Sequence, residues 1–129
     1  MLPLDQKELF RAQRFPEVAA GFFEWCGEQA AFFTWGPSDA QVLKRNLTWY
    51  GLERYLPLEV YDLQRAFDLM MMGSDQQTAL KDAVEALGLA EELAFHDACN
   101  DAFYTACIAA EMVRRLGELP SRGELERRE

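Results

Sequence analysis

A lone histidine, His96, stands five residues ahead of Asp101 in the run His96-Asp97-Ala98-Cys99-Asn100-Asp101-Ala102-Phe103-Tyr104-Thr105-Ala106. Histidine is the side chain whose proton comes and goes near neutral pH, so it suits general acid–base work when a carboxylate or a cation lies beside it. Five residues of α-helix turn through about 500°, roughly 140° net, so groups at this spacing converge only if the histidine sits in the loop before the helix. Leu93-Ala94-Phe95 permits such a loop, and Asp97 suits the N-cap position. Asp101 itself lies among Ala98, Cys99, Ala102, Phe103 and Ala106. An unpartnered carboxylate in such surroundings costs on the order of several kcal/mol, which a histidine or a metal ion would relieve. The arrangement therefore reads as catalytic rather than as packing, although a surface or capping role would explain His96 taken alone.

The elements that must position these residues follow from period and punctuation. Residues 1–14 have no clear period and form a loop or short helix. Phe15-Pro16 opens a helix with Val18, Phe22, Trp25 and Cys26 as its apolar stripe and Gly27 as its stop. Ala30 to Trp35 is a short apolar and aromatic run closed by Gly36-Pro37, a buried strand and turn. A helix follows from Ser38 or Asp39 to about Tyr50, its inner face Val42, Leu43, Leu47 and Tyr50. Val60-Tyr61-Asp62-Leu63 is a weaker strand leading into a helix around Arg65 to Met71, broken at Gly73-Ser74-Asp75. Helices over Thr78–Leu87 and Ala98–Leu116 complete the order, and the tail 118–129 frays. Ala98, Ala102, Ala106, Ala109 and Val113 give the last helix a small-residue side that lets it approach a sheet closely. Asp39, placed where the first strand hands over to a helix, is explained on its own by the preference of acids for helix N-termini.

Taken together, these stretches resemble the DEDDh 3′–5′ exonucleases, the family that includes ribonuclease T, oligoribonuclease and the proofreading subunit of bacterial DNA polymerase III. His-x-Ala-x-x-Asp-Ala-x-x-Thr-Ala, from His96 to Ala106, is similar to the family's third motif. Phe32-Phe33-Thr34-Trp35-Gly36-Pro37-Ser38-Asp39, continued by Leu43-Lys44-Arg45-Asn46-Leu47, resembles the second. Leu80-Lys81-Asp82-Ala83 through Leu87-Gly88-Leu89 stands where the family has a helix before the histidine motif. The resemblance implies a partial RNase H-like α/β fold, mostly helical with two short strands, over the single domain 1–129. The family's opening three-stranded antiparallel portion is absent. It also implies metal ligands at Asp39 and Asp101, a general base at His96, and two Mg2+ or Mn2+ ions acting on the 3′ end of single-stranded nucleic acid or a short oligonucleotide.

Two departures bear on activity. No Asp-x-Glu triple occurs anywhere in the chain, so two of the family's four metal-binding acids are missing. Asp97 stands where many relatives carry arginine, which removes one phosphate contact. Asp62, after the second strand, is expected to hydrogen-bond in a turn rather than to replace a missing acid. The chain is thus expected to be the later part of a nuclease domain or a shortened relative, inactive alone. The alternatives are a catalytically dead interaction module of the same fold and an unrelated acidic helical protein.

Composition sets the outer limits. With 129 residues, half of them apolar, the chain can bury one real core. Its 22 acidic against 13 basic residues, a formal charge of −9, argue against broad electrostatic capture of phosphates. Divalent cations would have to mediate any nuclease chemistry. Cys26, Cys99 and Cys107 lack zinc spacing and read as buried free thiols in a reducing cytoplasm. Glu24 and Glu28 interrupt the most apolar run, so no membrane span is expected. Met70-Met71-Met72 suits an adaptable surface or plain core filling. A strand over 31–35 with only a weak neighbour leaves an open edge, which favours a homodimer or completion by a preceding segment.

Overall fold

In the computed structural model, which describes residues 6–56 and 58–117, the chain is a mostly helical α/β structure around two short parallel strands. Helix α1 spans Gln6–Arg11 and α2 Phe15–Cys26, with Pro16 in the first turn, where its missing N–H costs nothing. Gly27 closes α2 at φ +79, its N–H returning to the Phe23 carbonyl at 3.1 Å. Strand β1 is Phe32–Thr34, α3 is Ser38–Trp49 and β2 is Val60–Asp62. The strands pair in parallel, Phe32 opposite Val60 and Thr34 opposite Asp62, so β1, α3 and β2 form a crossover unit. Helix α4, Leu63–Phe67, runs directly into a π-helical turn, Asp68–Met72. Helices α5, Leu80–Ala86, and α6, Ala98–Leu116, follow. Among the described residues no helix is long and apolar enough to cross a membrane.

Two clusters hold these elements. The larger joins Leu63 and Phe67 to Ala83, Val84 and Leu87 of the α5 segment and to Tyr104, Ile108 and Met112 of α6, with Trp35 packed against it. The smaller joins Ala19 and Phe23 of α2 to Leu47 and Leu52. Full burial of side chains the size of Phe67 and Ile108 contributes on the order of 2–3 kcal/mol each, so α6 is anchored mainly by the first cluster.

Several faces differ from the sequence expectation. On α2 the buried residues are Ala19 and Phe23, one step round from the expected stripe, and Val18, Phe22 and Trp25 are exposed. Aromatic residues lie on both sides of this helix, and the stacking of Phe23 on Tyr55, centroids 4.9 Å apart, decides which side turns inward. On α3 Leu47 is buried, but Val42 and Tyr50 are exposed. Helix α6 buries Tyr104, Thr105, Ile108 and Met112, while Ala98, Ala102, Ala106 and Val113 stay open. The large residues gain more from burial and take the core side, leaving the small-residue side along β1. The strand expected to be buried is half open, with Phe33 and Tyr61 paired on an exposed face at 5.6 Å. Cys99 is exposed, and Cys26 and Cys107 are half-buried, all three free, so the expected burial of the thiols fails. Met71 packs on the core between exposed Met70 and Met72. The expected frayed tail, 118–129, lies outside the described residues.

Candidate functional site

Asp39, His96 and Asp101 come from three separate parts of the chain and line one groove of about 680 Å³. The walls are β1 with Trp35 on one side and Ala98, Ala102 and Ala106 of α6 on the other. The alanine side chains leave this space open. Because β1 has β2 as its one strand neighbour and the Phe32 N–H points to the Glu59 carbonyl at 2.8 Å, alternation turns the Phe33 N–H and C=O the other way. Among the described residues the groove therefore runs beside an unpaired strand edge.

His96 sits in the loop before α6, as its spacing required, with φ at +68, a left-handed conformation uncommon outside glycine. Such backbone costs on the order of 1 kcal/mol or more and persists where surrounding bonds impose it. Those bonds come from the first turns of α6. The Asp101 carboxylate accepts the His96 N–H at 3.1 Å, and the Asn100 side chain donates to the Ala94 carbonyl at 3.0 Å. The Tyr104 hydroxyl donates to the Leu93 carbonyl at 2.5 Å and lies 2.9 Å from the Leu93 N–H. Asp97 caps α6 by accepting the Asn100 N–H at 3.1 Å. Here the partner expected for Asp101 is corrected. The carboxylate is half-buried rather than enclosed, and a backbone N–H of the histidine relieves it. The imidazole is left exposed at the groove.

Asp39 occupies the first turn of α3, exposed, and caps nothing with its side chain. Its position depends on the turn after β1. Gly36 adopts φ +95, and a Cβ there would come within 3.3 Å of Gln64 Oε1. The Gly36 N–H donates to Asp62 Oδ1 at 3.1 Å, and the same oxygen caps α4 through the Arg65 N–H at 3.2 Å. Asp62 is therefore the turn-holding residue expected from its place after the second strand.

Among the described residues no group of three or more histidine, cysteine, aspartate or glutamate side chains is placed to hold a metal ion. Asp39 and Asp101 share a groove without forming a cation cage, and a pair of hard divalent ions needs more oxygen donors than two carboxylates offer. The donor set of the described residues by itself does not fit the expected Mg2+ or Mn2+ pair.

Two residues carry contacts that the sequence reading did not foresee. Trp35, read as the end of the strand and part of the Thr34-Trp35-Gly36 motif, donates its indole N–H to the Thr78 carbonyl at 3.0 Å and lines the groove. Asp68 is fully buried although it follows Arg65, Ala66 and Phe67 in what reads as an ordinary amphipathic helix. The signal for Asp68 was the Gly73-Ser74-Asp75 break, which supplies a loop for the carboxylate to hold. No protein-family model, curated protein or solved structure matches the chain.

Proposed function

We propose that this chain is the later portion of a DEDDh-type 3′–5′ exonuclease domain with a partial RNase H-like fold, incomplete for catalysis by itself. The observation that carries the reading is the meeting of Asp39, His96 and Asp101 in one groove despite their separation in sequence. Packing does not require it, since Asp39 and His96 are exposed and belong to neither core cluster. In this reading the groove receives the 3′ end of single-stranded nucleic acid. His96 takes the proton from the water that attacks the terminal phosphodiester, and a nucleoside 5′-monophosphate leaves. Asp39 and Asp101 supply two acids, and a strand added along the open edge of β1 would supply the other two.

Divalent metal ions, when bound by such a completed set, polarise the phosphate and lower the pKa of water. This chain's own contribution is orientation. The bonds from Asn100, Asp101 and Tyr104 fix the loop that presents the imidazole. The absence of a three-donor metal group among the described residues favours a second reading, a nuclease-fold interaction module without activity.

His96 is the sole histidine, so its ring signals in an NMR spectrum belong to one residue. Titration with a short single-stranded oligonucleotide in Mg2+ buffer should move the His96 ring signals and the amide signals of 97–101 while leaving those of α2 in place. Unmoved groove signals at millimolar oligonucleotide, or changes centred on α2, would contradict the reading.

A further inference from the structure

Asp68 is an ionisable group wholly removed from solvent, yet all three of its donors are neutral. The backbone N–H groups of Gln76 and Thr78 donate to Oδ2 at 3.0 and 3.2 Å, and the Thr78 hydroxyl donates to Oδ1. A buried carboxylate is expensive unless its lone pairs are used, and an apolar side chain would fill the space at lower cost. What a carboxylate adds is direction, because it fixes where a hydroxyl and two amides stand. The fixed residue, Thr78, turns its carbonyl to two further donors, Trp35 Nε1 at 3.0 Å and Gln64 Nε2 at 3.0 Å. Trp35 is a wall of the groove, and Gln64 presents its oxygen to Gly36 at the turn that leads to Asp39.

We propose that Asp68 is the positioning residue of the groove, holding Thr78 so that its carbonyl sets Trp35 and Gln64 and through them the end of β1. The interest of this link rests on the groove being the working site, but its physical content does not depend on what the groove binds. The π-helical turn Asp68–Met72 is part of the device. Asp68 stands at its start, four residues after Gln64, so regular helix spacing turns both side chains towards Thr78.

Trp35 makes the link measurable. The other two tryptophans, Trp25 and Trp49, are 83% and 82% exposed, so a Trp25→Phe/Trp49→Phe background leaves Trp35 as the single reporter. In that background Asp68→Asn and Thr78→Val should each red-shift Trp35 emission and speed its quenching by acrylamide several-fold, with helix content by circular dichroism unchanged. Thr78→Ser keeps the hydroxyl and should restore the parent spectrum. If Asp68→Asn does not fold, Thr78→Val reads the same link with both backbone donors left on the carboxylate. Trp35 emission unchanged in folded variants of lower Tm would overturn the proposal, as would loss of fold in both variants, which would assign the network to stability alone. Failure of the oligonucleotide titration would remove the nuclease reading while leaving this result standing.

Discussion

The loops 73–79 and 93–97 each lead towards a helix, and an aspartate ties each down by accepting backbone N–H groups, yet the settings are opposite. Asp68 is 0% exposed and accepts two amides and a hydroxyl. Asp101 is half-buried, accepts one amide, and holds a histidine in the left-handed region. Each loop holds one non-glycine residue in the left-handed region, Gln77 at φ +50 in the first and His96 at φ +68 in the second. In the first, the bonds fix Thr78, whose carbonyl receives Trp35 and Gln64. In the second, they accompany the packing of Phe95 on the core and its stacking on Tyr104, and leave the imidazole exposed at the groove. What separates the two strained residues is place, because His96 lines the groove and Gln77 does not.

The largest effect should come from the frame. Asp68→Ala removes the acceptor of two amides and a hydroxyl at a partly buried loop, at roughly 1 kcal/mol for each bond, and should cost about 3 kcal/mol in urea unfolding, with the 129-residue chain as reference. A loss below about 1 kcal/mol would put Asp68 on the same footing as Asp101 and dissolve the contrast. Next comes Gly36→Ala, at about 2 kcal/mol, because φ +95 suits only glycine and the new Cβ must displace Gln64. Asp101→Ala should cost about 1 kcal/mol and speed hydrogen exchange at the His96 amide while leaving those of Asn100, held by Asp97, and of Gln76 and Thr78 protected. His96→Gly should leave stability level or raise it by up to about 1 kcal/mol, since glycine takes the left-handed conformation freely. A marked loss in that variant would mean that the imidazole packs and that the loop is structural after all.

The smallest effects concern acid. Burial raises the Asp68 pKa, but the hydrogen bonds from the Thr78 hydroxyl and from the backbone N–H groups of Thr78 and Gln76 outweigh it, so the net shift is downward. A carboxyl lowered in the folded state contributes stability above its unfolded pKa and loses it as pH falls through the folded value. Acid unfolding should therefore gain its Asp68 component only below the ordinary carboxylate range. Glu111 follows the same sign. Hydrogen bonds first from Arg114 and then from Arg115 hold its pKa down to about 2. Arg115 also donates to the Leu87 carbonyl at 3.3 Å, so Glu111 helps fasten α6 to the end of α5. Glu111→Gln should lower Tm less than Asp101→Ala does, and added salt should shrink the difference.

Much of the frame could be read before any coordinates. Gly27, Gly36-Pro37, Gly73 and Gly88 punctuate the chain, so element order was legible, as was the Asp97 cap; the parallel pairing of the two strands was not foreseen. The placement of His96 in a loop before α6 followed from helix geometry alone. Which face turns inward did not, because α2 carries Phe22, Phe23 and Trp25 in near succession, and its inner side is chosen by Tyr55, which is distant in sequence. Asp68 was hidden because its partners, Gln76 and Thr78, lie in a loop beyond the Gly73 break, and helical period says nothing about where such a loop returns. The Asp101 contact was hidden for a different reason. A carboxylate near a histidine suggests a bond to the ring, whereas the shorter path from the first turn of a helix leads to the backbone of the preceding loop.

The central claim, that the groove is the incomplete site of a 3′–5′ exonuclease, is tested most directly by an activity comparison. A 3′-labelled single-stranded oligonucleotide in Mg2+ buffer would be offered to the 129-residue chain and to the same chain extended upstream by a strand carrying Asp-x-Glu. The account predicts no release of nucleoside 5′-monophosphate by the chain alone. It predicts steady release by the extended protein, abolished separately by Asp39→Asn, Asp101→Asn and His96→Ala. Robust release by the chain alone, or release by the extended protein that survives all three substitutions, would contradict it, as would an extended protein that folds and remains inactive.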